Sequence, residues 1–164
     1  MMTKRTGTVG RLWPRYVPAV RLRVTIDIAA SPERIWAEIE SIESHVEWMK
    51  DAERIVFTSR STRGVGTEFD CHTRLGPFRT VDHMRVTGWE PRRRMDIVHE
   101  GAVTGRGSFL LRPKRNGATK FVWVERQLTF PKKFAGPVGA FVARPLLKRV
   151  WRGNLRRLAK LCEV

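Results

Sequence analysis

From residue 52 to residue 130 the apolar side chains of this sequence recur at every second position, and from Val138 onward they recur at steps of three to five. That change of period is the strongest constraint on the fold. A long alternating run cut by short turns makes an antiparallel meander, and the segment after it must be an amphipathic helix with a sheet available to cover. Turns fall at Arg63-Gly64-Val65-Gly66, at Gly76-Pro77, at Pro91–Arg93 and between Pro113 and Gly117. They divide the run into strands 54–59, 67–75, 78–90, 95–99, 103–112 and 119–130.

Ahead of the meander, Arg21–Ala29 alternates Val24, Ile26 and Ile28 with Thr25 and Asp27, as a half-buried strand does. Ser31-Pro32-Glu33 then opens a helix: a hydroxyl to cap it, a proline in its first turn and an acid beside its positive end. Ile35, Trp36, Ile39 and Ile42 form its inward stripe, and a second short helix starts at Ser44. In the last segment Val138, Phe141, Val142, Leu146, Val150, Trp151, Leu155, Leu158 and Leu161 fall at helical spacing over roughly 25 residues, with Pro145 either kinking the helix or marking where its main part begins. The reading is one α+β domain over residues 21–164, preceded by a basic arm over residues 1–20.

Composition narrows the function classes. The chain has 164 residues, 41% of them hydrophobic, enough for one core. Cys71 and Cys162 make neither a disulfide framework nor a zinc site and read as buried thiols in a reducing compartment. No apolar run reaches 18 residues, and Trp13-Pro14-Arg15 interrupts the N-terminus before a signal-like stretch forms, so the expected location is cytoplasmic, with contact to a membrane surface open. No phosphate loop or hydrolytic triad order is present, and Gly101–Gly107 lacks the strand-to-helix context of a nucleotide motif. The net charge is +16. Its cations concentrate at the ends: residues 132–160 carry nine Lys or Arg and no acid, whereas residues 33–53 carry seven acids. Residues 144–160 are thus a candidate surface for an anionic membrane or RNA, against the plainer reading of a solvated face.

The element order, with the phrases VTIDIAASPERIW (24–36), GVGTEF (64–69), GRGSF (105–109) and GATKFVWVE (117–125), resembles the START/Bet v 1-like superfamily in its bacterial polyketide cyclase/dehydrase and lipid-transport branch. The resemblance covers about residues 22–162. It implies a helix-grip fold, a curved seven-stranded antiparallel sheet around a long C-terminal helix, with two short helices after the first strand. It also implies a cavity between sheet and helix for an apolar guest such as a lipid, polyketide or aromatic; no cofactor is expected.

Three polar residues stand on apolar faces. Asp82 shares its face with Thr80, Met84 and Val86; a carboxylate there costs several kcal/mol unless paired or protonated. It reads as an acid, base or ligand anchor, or else as an Asp at a bulge or paired with an arginine. Glu125 shares a face with Phe121, Trp123 and Gln127, and reads as a cavity carboxylate or as the partner of Arg94, Arg106 or Arg126. His99 sits with Met95 and Ile97 near a strand end, as a base or a satisfied rim histidine. Asp82, Glu125 and His99 are the only plausible acid–base set; Cys71 has no evident base beside it. Phe69, Cys71, Met84, Phe109, Leu111, Phe121, Trp123, Phe141 and Trp151 are the candidate ligand-lining residues, with core packing the alternative for the aromatics. The leading expectation is a binding or carrier module for an apolar small molecule. A cyclase- or aromatase-type enzyme and a basic binder of ribosome, RNA or membrane are the alternatives.

Overall fold

The computed structural model describes residues 20–101, 103–129 and 137–163, with side chains from residue 21 and, in the last segment, from residue 144. The basic arm lies outside the described residues except for Val20.

Seven strands follow the sequence pattern closely: β1 (Val20–Ile28), β2 (Ala52–Phe57), β3 (Glu68–Leu75), β4 (Phe78–Glu90), β5 (Arg94–Glu100), β6 (Thr104–Pro113) and β7 (Thr119–Thr129). They form one curved antiparallel sheet in the order β1-β7-β6-β5-β4-β3-β2, so the first strand closes against the last. Register shifts at Val20/Leu22, Ala52/Arg54, Val86/Gly88 and Thr104/Arg106 interrupt the ladders. Such bulges bend a strand and increase its twist, which helps this sheet to wrap.

The Thr104/Arg106 shift corrects one sequence expectation. Gln127, opposite this irregularity, has φ 55 and is exposed, whereas Leu128 is buried. The extra residue reverses the alternation, so Gln127 does not share the inward face of Glu125.

Helix α1 (Pro32–Ile39) begins where its signals place it, with the Ser31 hydroxyl accepting from Arg34 N at 3.2 Å. It ends before Ile42, which belongs to a separate 3-10 turn, Ile42–Ser44, leading into the single-turn helix α2 (His45–Trp48). The chain closes with α3 (Pro137–Cys162), which runs through Pro145 and packs on β1 and α1. Its inward face places Trp151, Leu155, Leu158 and Cys162 against Leu22, Val24, Ile35 and Trp36. Each large apolar side chain buried there contributes roughly 1.5–3 kcal/mol.

One buried polar residue fixes α3 to the rest of the domain. Asn154 is fully buried; its Nδ2 donates to Asp51 Oδ1 at 2.6 Å and its Oδ1 accepts from Lys50 N at 3.1 Å. The turn after α2, and with it Met49, is thereby tied to the helix.

Candidate functional site

Antiparallel pairing brings the three sequence-selected polar residues together. Asp82 on β4, His99 on β5 and Glu125 on β7 all face the concave side of the sheet, and all are at least 90% buried. His99 Nδ1 donates to Asp82 Oδ2 at 2.6 Å. On the other side of the ring, His99 Nε2 lies 3.3 Å from Glu125 Oε2, close enough to pair as ions. The alignment of that second contact is too poor for a hydrogen bond, and both atoms are left without a hydrogen-bond partner. Glu125 Oε1 accepts from Trp123 Nε1 at 2.8 Å, which fixes the carboxylate.

These contacts decide between the alternatives left open by the sequence. Asp82 points inward rather than out at a bulge, and His99 is enclosed rather than at a rim. Glu125 pairs with His99 and Trp123, not with an arginine. Burial opposes the His99 imidazolium, but the hydrogen bond to Asp82 and the close negative charges of Asp82 and Glu125 outweigh that cost and hold its pKa up at about 10. At neutral pH His99 is therefore a cation, bonded to Asp82 through Nδ1 and facing Glu125 with an unpartnered Nε2–H, and it compensates two carboxylates that burial alone would penalise.

Two glycines make the arrangement possible. A Cβ on Gly107 would stand 2.8 Å from Glu125 Oε1 and 2.9 Å from Ile97 Cγ1, so the carboxylate lies flat over bare backbone. A Cβ on Gly101 would stand 2.8 Å from Asp82 Oδ1, which places the β5–β6 connection directly over Asp82.

His99 and Glu125 form the charged end of a mostly apolar cavity of about 70 Å³. Phe69, Cys71, Met84, Phe109 and Trp123 line it, as do Met49 and Met95. Ile42 and His45 close it from the short helical turns. Leu111, Phe121 and Trp151, also expected at the lining, are packed into the core instead. The reason is aromatic filling: Trp151 stacks on Trp123 with centroids 4.8 Å apart, and Phe121 packs 5.3 Å from Phe109. Trp36 and Trp48 are likewise core residues. Among the described residues the lining comes from the sheet and the short helices, none of it from α3; the side chain of Phe141 lies outside the described residues.

Sequence reasoning did not single out His45, Met49 or Gly107. His45 is buried, its Nε2 donates to the Ile39 carbonyl at 2.7 Å, and desolvation pushes its pKa down to about 4. It is neutral, so its Nδ1 is an acceptor. A short turn offers no periodicity from which an inward direction can be read. The Cys71 thiol is pushed up to about 11 by burial and is not a nucleophile at neutral pH. Among the described residues no cluster of His, Cys, Asp and Glu is arranged to hold a metal ion, and no helix is long and apolar enough to cross a membrane.

Residues 19–163, which span this meander and its terminal helix, match the family described as polyketide cyclase / dehydrase and lipid transport. The chain belongs to this family. Its structural neighbours have low sequence identity, which makes the likeness one of fold. An aromatase/cyclase from Streptomyces superposes with a TM-score of 0.71 at 15% identity, covering 89% of this chain and 94% of that one. A START superfamily protein from Mycobacterium smegmatis gives 0.62 at 16%, covering 87% and 94%. An uncharacterised protein of Mycobacterium tuberculosis is 28% identical over 147 residues, 86% of this chain and 83% of its own length. The family assignment makes this a domain of the polyketide cyclase / dehydrase and lipid transport type.

Proposed function

We propose that the domain binds a small apolar molecule carrying a hydroxyl group, with the hydroxyl received between His99 and Glu125. One observation carries this reading: at the end of an apolar cavity, a charged donor (His99 Nε2) and a charged acceptor (Glu125 Oε2) stand 3.3 Å apart, each without a hydrogen-bond partner. A hydroxyl is both donor and acceptor, so one oxygen can accept from the imidazolium and donate to the carboxylate. A carbonyl or ether satisfies only His99, and an ammonium satisfies only Glu125. Hydrogen bonds to charged groups are each worth about 1.5–3 kcal/mol, so the preference should be large.

The cavity is about 70 Å³, whereas an apolar cavity of about 150 Å³ is known to hold benzene. A ring therefore enters only if the lining gives way. Met49, Met84 and Met95 supply unbranched, flexible side chains that can do so. Tryptophan-fluorescence titration with phenol, anisole and benzene tests the reading, because Trp123 touches the site. Phenol should bind at least tenfold tighter than anisole, and Glu125→Leu should abolish the difference. Equal affinities for all three would remove the hydroxyl from the argument.

A second reading, acid–base catalysis on such a ligand, is favoured by the 2.6 Å Asp82–His99 bond, which orients the ring and keeps it charged. His99 would then act as the general acid toward a leaving hydroxyl and Glu125 as the proton acceptor, since a group held at about 10 is mostly protonated at neutral pH. A bell-shaped pH dependence of turnover, lost in Asp82→Asn, separates catalysis from binding alone.

A further inference from the structure

We infer that the outward face of α3 is a docking surface for the phosphate backbone of nucleic acid. Arg149, Arg152, Arg156 and Lys160 recur at steps of three and four, and all four are exposed. They form a single row on one rigid helix, about 16 Å long at the helical rise of about 1.5 Å per residue. Arg144 and the half-buried Lys148 extend the positive face, and Arg144 Nη2 donates to the Arg21 carbonyl of the edge strand β1.

What sets this row apart is regular spacing on one helix with no acid along it. Seven arginines elsewhere are matched with acids: Arg34 with Glu38, Arg63 with Glu40, Arg74 and Arg79 with Glu53, Arg85 with Glu68 and Glu100, Arg92 with Glu33, and Arg94 with Asp96; others among the described residues, such as Arg23, Arg60, Arg112 and Arg126, are scattered over the sheet and its turns without an ion pair. Among the described residues none of the four row cations has a carboxylate in ion-pairing reach, and no acid occurs in the sequence between residues 132 and 162. With no acid along its own helix, the row keeps its charge open to a partner of opposite sign.

The chemistry of the row points to phosphodiesters rather than to a membrane. A helix that lies in a bilayer interface needs exposed apolar side chains to insert. Among the described residues of α3 the one exposed large apolar side chain is Leu146; between Lys148 and Leu161 every exposed residue is one of the four cations. Three of the four are arginines, whose planar fork fits phosphate oxygens two at a time. Four such contacts give a slope of log K against log salt of about −3.6 on duplex, and an affinity loss of about 10²-fold between 50 and 200 mM salt.

The test is fluorescence anisotropy of labelled 24-mer duplex and single-stranded RNA with the full chain across that salt range. It is repeated with Arg149, Arg152, Arg156 and Lys160 all changed to Gln, and with a control of equal charge change, Arg63, Arg74, Arg79 and Arg85 all changed to Gln. The expected result is a steep salt slope that falls by about three units in the α3 variant, with at least a tenfold loss of affinity at 50 mM salt, and a much smaller loss in the control. Equal weakening in both variants assigns binding to net charge alone and overturns the surface. So does binding to vesicles of anionic phospholipid without binding to nucleic acid. Thermal unfolding of both variants confirms that exposed positions were changed without loss of fold.

Discussion

The charged state of His99 makes stability depend on pH in a direction that most buried histidines do not show. Its pKa is held at about 10 in the folded protein, against 6.5 for the free side chain. A raised value means that the native state keeps a proton the unfolded chain releases. The contribution is therefore complete below pH 6.5 and is lost as pH rises toward 10. Between pH 6.5 and 8.5, where the unfolded imidazole goes from half to fully deprotonated, the loss amounts to about 2 kcal/mol at 1.36 kcal/mol per pH unit. The upper limit of this window avoids Cys71 and Cys162, both held at about 11 by burial, whose native-state protons would add a loss of the same sign above pH 9. His45, lowered to about 4, acts in the opposite sense: its stability term falls as pH drops from 6.5 toward 4, because the unfolded chain takes up a proton the native state refuses. The two histidines together place a stability maximum near pH 6.5.

Urea unfolding followed by tryptophan fluorescence measures the effect directly. With a slope of about 2 kcal/mol per molar urea, the midpoint should fall by about 1 M between pH 6.5 and 8.5. His99→Gln should remove the fall, at a cost in stability because two buried carboxylates lose their cation. Should that variant not fold, Asp82→Asn retains the imidazole and should shrink the fall. A midpoint independent of pH in the wild type, or an undiminished fall in His99→Gln, refutes the reasoning.

Two further substitutions probe the supports of the site. Gly107→Ala places a methyl 2.8 Å from Glu125 Oε1 and 3.1 Å from Oε2, so it should displace the carboxylate, lower stability by about 1–3 kcal/mol in urea unfolding and remove the preference for phenol over anisole. Asn154→Ala strips the partners from Lys50 N and Asp51 Oδ1, and the same assay should show a loss of about 1–3 kcal/mol.

The fold was legible in the sequence because its signals are local and redundant. The alternation of Phe78–Glu90 gives β4 its bounds residue for residue, and Ser31-Pro32-Glu33 places the start of α1. Bulges were not legible: the alternation through Gln127 continues on paper, and only pairing with β6 shows where it slips. At the site, Asp82, His99 and Glu125 were identifiable singly, each as a polar group on an apolar face. Their union was not, since it depends on strand order, with β4, β5 and β7 brought to one concave surface. The cavity's small volume depends on how Trp151 and Phe121 pack, a three-dimensional property without a sequence signature.

Nitrogen-15 NMR of histidine-labelled protein at pH 7.5 tests the core of this account most directly. His99 should appear protonated on both ring nitrogens, and its Nε2 resonance should move when phenol is added but not when benzene is added. A neutral His99 ring, or an Nε2 resonance indifferent to phenol at saturating concentration, contradicts the account.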